Sequence, residues 1–221
     1  MKNGVCINPS PSRPADALVR QLSEQEVSHL SDSMGRAHTA AAALRPLHGG
    51  GTKLCGPAFT VWVPPGDHLM VQKALDLAAR GDVIVVDAAG FLEAAMIGEI
   101  MTAYAAARGI AGFVIDGAIR DLADISRRSM PVYARGTTPR GPTRLGPGRI
   151  NIPVCVGGMV VHPGDIIVGD ADGVVCVPAA IAEQTLTLAR SLRDKEKRTL
   201  QAIAEGTLDR SWIDEALHAQ A

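Results

Sequence analysis

An adjacent arginine and aspartate, Arg120 and Asp121, have the clearest chemical potential in the 221-residue sequence. The planar guanidinium of arginine can hold a carboxylate through two parallel hydrogen bonds, and a carboxylate oxygen is the type of ligand that Mg²⁺ binds. The pair therefore suits an acidic substrate and a magnesium-like metal. The same dipeptide also fits a solvated ion pair of small energetic consequence, and its spacing alone leaves both interpretations open.

A second candidate site is the start of a helix. The sequence from Glu99 to Arg108 has a helical composition and stops at Gly109. If the helix begins near Gly98, the backbone N–H groups of its first turn have no intrahelical acceptor and lie at the positive end of the helix dipole. Such a turn can bind an anion, although a helix start without a ligand fits the same pattern. The candidate anion-binding residues are Gly98, Glu99, Ile100 and Met101.

Two short apolar runs flank this helix and would position both candidates. Residues 83–86 and 112–115 are uninterrupted by polar side chains and rich in β-branched residues, which is typical of strands buried on both faces. The order strand, helix, strand predicts a parallel pair. Each run is followed by an aspartate, Asp87 or Asp116. Because ligands bind outside the carboxyl ends of parallel strands, we expect both aspartates to share one rim with Arg120 and Asp121.

The remaining sequence predicts a single α/β domain over residues 16–205, an extended arm over residues 1–15 and a helical tail over residues 206–221. Residues 135–149 form a long irregular loop, a length that is usually functional or contacts a partner. A C-terminal run of short β-strands, separated by glycine-rich turns, is predicted over residues 150–177. The predicted helices span residues 16–30, 34–44, 69–79, 179–205 and 211–221, and another ends near residue 130.

Composition excludes several classes of protein. Apolar residues make up 47% of the chain, which indicates a globular fold. The net charge of −1 and the scattered basic residues do not indicate nucleic-acid binding. We find neither a membrane-spanning apolar run nor the apolar region of a signal peptide, and the widely spaced cysteines lack a CxxC motif. We therefore expect a cytoplasmic protein with reduced thiols and no nucleic-acid or membrane partner.

Other catalytic arrangements lack support in the sequence. The six histidines form no HxxxH pair for zinc, and no G-x-S-x-G motif is present. A lysine that forms a Schiff base would have to be Lys53 or Lys73, and we expect neither on the rim. The Arg120–Asp121 pair is therefore the leading candidate.

Several of these stretches together resemble the RraA-like family. The principal match is the sequence Gly-Glu-Ile-Met at residues 98–101, followed by residues 111–121, Ala-Gly-Phe-Val-Ile-Asp-Gly-Ala-Ile-Arg-Asp, and by Asp124. Residues 31–35, 56–61 and 162–173 also resemble the family, and the similarity covers roughly residues 16–200. The family includes metal-dependent class II aldolases for 4-hydroxy-4-methyl-2-oxoglutarate and 4-carboxy-4-hydroxy-2-oxoadipate.

The resemblance implies a swivelling β/β/α fold and assigns roles to individual residues. The backbone of residues 98–101 would bind the substrate carboxylate, Arg120 would contact the 2-oxo acid substrate, and Asp121 would hold Mg²⁺ or Mn²⁺, mostly through retained waters. Glu99 and Asp124 would be outer-shell or proton-handling groups. Family members are homotrimers, or hexamers built from two trimers, and Glu196 matches a carboxylate that the neighbouring subunit contributes.

Two rival functions stay open within this resemblance. The family has a non-enzymatic branch that inhibits a ribonuclease, and a decarboxylase for another 2-oxo acid would need similar residues. The enzymes carry an acidic residue three positions after the aspartate, and Asp124 satisfies that pattern. One departure is Gln72, where relatives often have histidine. Because we place Gln72 on a helix away from the rim, we expect it to affect packing rather than chemistry.

Overall fold

The computed structural model describes residues 4–49 and 51–219. The first three residues of the predicted arm and the last two of the predicted terminal helix lie outside this range. The helices are α1 (Asp16–Ser23), α2 (Val27–Ser33), α3 (Leu69–Leu77), α4 (Glu99–Arg108), α5 (Leu122–Ile125), α6 (Ala182–Ala204) and α7 (Trp212–His218). None of the helices in the described residues is both long enough and apolar enough to span a membrane.

The strands are β1 (Val5–Ile7), β2 (Arg45–Pro46), β3 (Leu54–Trp62), β4 (Val83–Ala95), β5 (Gly112–Ile119), β6 (Val132–Thr137), β7 (Gly148–Ile150), β8 (Val154–Val156), β9 (Met159–Val161), β10 (Ile166–Gly169) and β11 (Val174–Val177). The main sheet has the order β1-β7-β3-β4-β5-β6-β2. Its centre, β3 to β6, is parallel throughout. Strand β10 pairs antiparallel with both β3 and β11, and β8 and β9 form a separate hairpin.

The predicted strand-helix-strand unit is confirmed. Strands β4 and β5 pair in parallel, and helix α4 between them has the predicted bounds. The helix ends where Gly109 adopts a left-handed conformation (φ 74°), which costs glycine little because it has no Cβ. The single-domain α/β fold with a C-terminal run of short strands is confirmed as well.

The predicted ends of β4 and β5 were wrong. Strand β4 continues through two register shifts to Ala95, and β5 continues to Ile119. Asp87 and Asp116 therefore pair with each other inside the sheet and do not mark its rim. A polar residue after an apolar run often ends a strand, but these two aspartates have partners within the fold and the ladder continues past them.

Residues 34–44, predicted to be helical, form turns. Gly35 and Arg36 both have positive φ angles, which a right-handed helix does not permit. The segment then pairs with β11, where the Ala40 N–H donates to the Val174 carbonyl at 2.9 Å. Tertiary hydrogen bonding thus outweighs the helix propensity of the alanines.

Three other boundaries differ from the sequence-based prediction. The predicted helix over residues 16–30 is two helices, because Glu26 is extended (ψ 145°) between them. Helix α5 ends at Ile125 rather than near residue 130. The irregular loop is shorter than predicted, since β6 and β7 leave only residues 138–147 outside regular structure.

Three apolar clusters form the core of the described residues, and the largest supports the rim of the sheet. It lies between the central strands and helices α3 and α4, and Phe113, Ile84 and Val86 are fully buried in it. A second cluster packs the opposite sheet face against β8 and β9. The third joins β10 and β11 to helices α1, α2 and α6. Apolar side chains thus cover both faces of the central sheet, as the β-branched runs at residues 83–86 and 112–115 predict.

We predict that Phe113→Ala lowers the free energy of unfolding by about 3–5 kcal/mol, because it removes a fully buried ring and leaves a cavity. Urea denaturation followed by circular dichroism measures this change. Leu200→Ala, at a side chain that is 59% exposed, is the control and is expected to change stability by less than about 0.5 kcal/mol. Equal effects of the two substitutions would contradict the assignment of Phe113 to the core.

Candidate active site

A cleft of about 850 Å³ opens at the rim of the parallel sheet. It lies between helix α3, the first turn of helix α4, the residues that follow β5, and the 138–147 loop. Polar and apolar groups both line it, as in other small-molecule sites. The residues used below are His68, Gln72, Lys73, Asp76, Gly98, Ile100, Met101, Arg120, Asp121 and Arg144, which all line this cleft.

The structure brings the two predicted candidates together. Arg120 and Asp121 follow β5 directly and pack against Gly98, the residue before helix α4. A Cβ on Gly98 would overlap Asp121 Oδ2 and lie 3.0 Å from Arg120 Cγ. The backbone of Gly98 is extended, so the close approach of Arg120 and Asp121 is what requires glycine here.

Asp121 caps one of the free N–H groups at the start of helix α4. Its Oδ2 accepts a hydrogen bond of 3.0 Å from the Glu99 N–H, which is one of the first-turn donors. The N–H groups of Ile100 and Met101 have no acceptor among the described residues. Two donors at the positive end of helix α4 therefore remain able to bind an anion.

Asp121 also fits a divalent cation. The residue adopts a left-handed conformation (φ 58°), a strained geometry that is commoner for aspartate than for most other residues. Its second oxygen, Oδ1, accepts no hydrogen bond from the described residues and can serve as a hard ligand. Residues 4–49 and 51–219 contain no cluster of three or more His, Cys, Asp or Glu side chains suited to a metal. A single carboxylate fits a hexacoordinate ion that keeps most of its waters.

The side chains that line the cleft carry more positive than negative charge. Arg120 Nε lies 3.6 Å from Asp121 Oδ2, and Lys73 Nζ lies 3.9 Å from Asp76 Oδ2. Arg144 has no carboxylate partner among the described residues. The cleft therefore has one surplus positive charge beside two weak, exposed ion pairs.

A buried aspartate holds the loop that carries Arg144. Asp67 Oδ2 accepts hydrogen bonds from the Thr143 hydroxyl at 2.8 Å and from the N–H groups of Leu145 and Gly146 at 2.6 and 3.1 Å. Its Oδ1 accepts from the Leu69 N–H at the start of helix α3. Burial alone would raise the pKa of Asp67, but these hydrogen bonds together lower it. The loop is thus tied to helix α3 by an ionised carboxylate.

The next residue, His68, fixes the orientation of Arg144. Its Nδ1 lies 3.0 Å from the Met96 carbonyl, which can only accept, and its Nε2 lies 3.2 Å from Arg144 Nε–H, which can only donate. This arrangement assigns the proton to Nδ1 and leaves a lone pair on Nε2. Burial is the main cause that lowers the pKa of His68, and the charges of Arg144 and Arg120 lower it further. His68 is therefore neutral near neutral pH.

Three acidic residues with predicted roles do not line the cleft. Glu99 Oε1 meets Arg128 Nη2 at 2.6 Å, and Asp124 Oδ1 meets Arg127 Nη1 at 3.0 Å. Glu196 lies on helix α6, where its Oε2 contacts His29 Nε2 of the same chain at 2.6 Å. Within one chain these carboxylates are held by other residues, and their roles at the site stay predictions.

The two aspartates predicted at the rim have structural partners instead. Asp116 is buried, pairs with Arg135 and accepts the Gly157 N–H at 2.9 Å. Asp87 accepts the N–H groups of Ala89 and Cys155 at 3.0 and 3.4 Å. Neither aspartate lines the cleft, so both stabilise turns rather than the candidate site.

Two side chains predicted to lie away from the rim do line the cleft. Gln72 and Lys73 are on helix α3, whose position beside helix α4 could not be derived from the sequence. Gln72 Nε2 lies 3.4 Å from the sulfur of Met101. Gln72 therefore lies at the rim, which corrects the prediction that it lies on a helix away from it.

The sequence does not identify three residues of this wall of the cleft, namely Asp67, His68 and Arg144. Its only indications of them are an Asp-His pair directly before a predicted helix and a proline-rich loop with several arginines. The pairing of His68 with Arg144 joins residues 76 positions apart. No local pattern encodes such a contact.

The fold and the cleft define an α/β protein in which a helix start with free N–H groups lies beside one carboxylate. Comparison with known proteins identifies the family within this class. The RraA-like family model, described as Aldolase/RraA, matches residues 26–176. The chain belongs to the RraA-like family.

Individual relatives agree with this assignment. A protein from Halalkalibacterium halodurans, named "Putative 4-hydroxy-4-methyl-2-oxoglutarate aldolase", is 37% identical over 190 residues, which cover 86% of this chain and 90% of that protein. The crystal structure of an uncharacterized protein from Pseudomonas syringae pv. tomato has a TM-score of 0.78 at 28% identity and covers 90% of this chain and 97% of its own. The crystal structure of Streptomyces coelicolor RraAS2, described as an unusual member of the RNase ES inhibitor RraA family, has a TM-score of 0.78 at 29% identity, covering 86% and 98%.

We predict that His68 makes stability depend on pH. Because the folded-state pKa is lowered, the unfolded chain takes up this proton first, so stability is lost as the pH falls from about 6.5 through the folded pKa. The free energy of unfolding of His68→Gln should fall less between pH 7 and pH 5 than that of the wild type.

Urea denaturation at the two pH values measures the difference. His218→Gln, on the exposed helix α7, is the matched control and should retain the wild-type pH dependence. An identical fall for His68→Gln and the wild type would show that His68 does not resist protonation in the folded state.

Proposed function

We propose that this chain is a divalent-metal-dependent aldolase. The substrate is a 4-hydroxy-2-oxo di- or tricarboxylic acid, either 4-hydroxy-4-methyl-2-oxoglutarate or 4-carboxy-4-hydroxy-2-oxoadipate, and the products are pyruvate and a second oxo acid. Because loss of CO₂ from oxaloacetate gives the same pyruvate enolate, decarboxylation of oxaloacetate is a side activity.

One observation carries this proposal: Arg120, Asp121 and the free N–H groups of helix α4 meet at one end of a single cleft. A 2-oxo acid presents a carboxylate and an adjacent carbonyl oxygen. The free N–H groups suit the carboxylate, and the guanidinium and the metal ligand suit the carbonyl. The aldolase name of the Halalkalibacterium halodurans relative supports the same reaction class.

The chain's own residues stabilise the negative charge of the reaction. The C4 hydroxyl loses its proton, the C3–C4 bond breaks, and its electron pair moves onto the 2-oxo group as the pyruvate enolate, which is then protonated at C3. Arg120 lies where this charge develops, a contribution typically worth several kcal/mol. Mg²⁺ or Mn²⁺ held by Asp121 would act as a Lewis acid on the 2-oxo group.

The proton acceptor is a base assisted by bound water. Glu99 and Asp124 flank the site in sequence, and we propose that they act from its outer shell. Their side chains are 39% and 43% exposed, so both can exchange protons with solvent. The arginine beside each one, Arg128 or Arg127, keeps it oriented.

We further propose a homotrimer, or a hexamer of two trimers, in which Glu196 of the partner subunit completes the site. Large apolar side chains at the cleft and on its loop support an interface there, since Ile100 is 80% and Leu145 is 85% exposed. Glu196 is itself 60% exposed, which leaves it accessible to another subunit.

Two rivals are distinguished by a single assay. The first rival is a ribonuclease regulator, which the similarity to Streptomyces coelicolor RraAS2 supports. Such a regulator releases no pyruvate from any substrate. A decarboxylase for another 2-oxo acid releases pyruvate from oxaloacetate but not from the two hydroxylated acids. Coupling pyruvate release to lactate dehydrogenase, with Mg²⁺ and then with EDTA, separates these possibilities from the proposed aldolase.

We predict that Asp121→Asn abolishes metal-dependent activity and keeps the fold. Asparagine retains an oxygen that can accept the Glu99 N–H and tolerates the left-handed backbone, but it loses the charge that binds the cation. Turnover as a function of Mg²⁺ concentration is the measurement, with circular dichroism to check the fold.

The matched control is Asp76→Asn, which removes the same charge from the helix α3 side of the cleft and should keep near-normal turnover. Near-normal turnover of Asp121→Asn at low Mg²⁺ would contradict the metal-binding role of Asp121.

We predict that Arg120→Lys lowers kcat/KM at least about tenfold, equivalent to about 1.4 kcal/mol, because a point charge cannot reproduce a planar two-pronged contact. The control is Arg36→Lys, at an 81% exposed arginine that pairs with Asp32 outside the cleft lining. A loss no larger than that of the control would leave Arg120 as a surface ion-pair residue.

A further inference from the structure

We infer that Arg144 binds the second, distal carboxylate of the substrate and so selects dicarboxylic over monocarboxylic 2-oxo acids. This inference rests on the proposed aldolase function and specifies its substrate class. It assigns separate tasks to the two arginines that line the cleft: Arg120 acts at the reacting end, and Arg144 holds the far end.

The hydrogen bonds of Arg144 leave most of its guanidinium free. Only Nε–H is used, and it donates to His68 Nε2 at 3.2 Å. The N–H groups on the two terminal nitrogens have no acceptor among residues 4–49 and 51–219. A guanidinium edge with several free donors matches a planar carboxylate.

The charges of the cleft also favour a second anionic group. Lys73 has Asp76 nearby, and Arg120 has Asp121. Arg144 is the cation of the cleft lining without a carboxylate partner in the described part of the chain. A monocarboxylate bound at helix α4 would leave this charge uncompensated, whereas a dicarboxylate would neutralise it.

Two buried residues hold Arg144 and its loop in place. Asp67 and His68 are adjacent and only 3% and 4% exposed, and they hold the loop backbone and the Arg144 side chain respectively. A flexible arginine normally loses conformational entropy when it binds a ligand. Because His68 already restrains the side chain, that loss is smaller, and His68 acts as a positioning residue.

The substrate pair that tests this inference differs only at the distal group. 4-Hydroxy-4-methyl-2-oxoglutarate has a carboxylate at C5, and 4-hydroxy-4-methyl-2-oxopentanoate has a methyl group there. Both acids cleave to pyruvate, with pyruvate or acetone respectively as the second product. Pyruvate release is measured for each acid with Mg²⁺ present, in a zwitterionic buffer free of other oxyanions.

The expected result is a selective change in KM. Arg144→Gln should raise KM for the dicarboxylic acid about 10–100-fold, the effect of losing hydrogen bonds to a charged group, and leave its kcat and the KM for the monocarboxylic acid nearly unchanged. The control is Arg140→Gln, which removes the same charge from the same loop at a residue outside the cleft lining and should change neither KM.

Two His68 variants separate positioning from general stability. His68→Gln keeps an oxygen that can accept the Arg144 Nε–H and should retain much of the preference for the dicarboxylic acid. His68→Leu removes the acceptor and should lose that preference, with less effect on the monocarboxylic acid. Equal loss toward both acids would indicate a merely structural role for His68.

A binding measurement keeps this inference separable from the proposed function. If the wild type cleaves neither acid, the aldolase proposal fails, and calorimetric titration with 2-oxoglutarate and 2-oxopentanoate tests Arg144 directly. A wild-type preference for 2-oxoglutarate that Arg144→Gln abolishes supports the inference. A wild type without that preference, or an Arg144→Gln variant that keeps it, overturns the inference.

Discussion

The close contact between Asp121 and the start of helix α4 fixes the arrangement of Gly98, Arg120 and Asp121 in the candidate site. It requires glycine at position 98, because any side chain there would displace Asp121 and Arg120. It also requires a left-handed backbone at Asp121, an unfavourable geometry that the surrounding strand and helix impose. One carboxylate oxygen of Asp121 accepts the Glu99 N–H at the helix start, and the other accepts no hydrogen bond from the described residues. The same contact thus determines which helix donors stay free and where a cation can bind.

A second set of hydrogen bonds, made by Asp67 and His68, fixes the wall of the cleft that carries Arg144. Asp67 and His68 lie in one turn before helix α3, yet they restrain a loop that is more than 70 residues away in the sequence. Their hydrogen bonds join helix α3, the strand end near Met96 and the Arg144 loop into one wall. In the proposed function, the cleft has a reacting end on helix α4 and a recognition end on helix α3. This division suits a substrate with an acidic group at each end.

The sequence predicted the elements whose causes are local. Helix α4 was predicted with its observed bounds because glycines stand at both ends of an alanine-rich segment, and β9 and β11 were predicted because glycine-containing turns flank short apolar runs. The alanine-rich segment after α2 was predicted wrongly because its hydrogen bonds are made with β11, which is far away in the sequence. Likewise, one strand-helix-strand unit in the sequence contains the helix start and ends just before Arg120 and Asp121, so the sequence predicts that they are neighbours. The His68–Arg144 contact depends on the packing of a loop against a helix, and the sequence contains no periodic signal for it.

The proposed function requires this cleft to stabilise the enolate of pyruvate. Exchange of the pyruvate methyl protons with deuterated solvent, followed by proton NMR, measures formation of that enolate without reference to the identity of the aldol partner. We expect rapid exchange when the protein and Mg²⁺ are both present, and exchange at the uncatalysed rate when EDTA removes the metal. Exchange that is no faster with protein and Mg²⁺ than with buffer alone would show that the cleft does not stabilise the enolate.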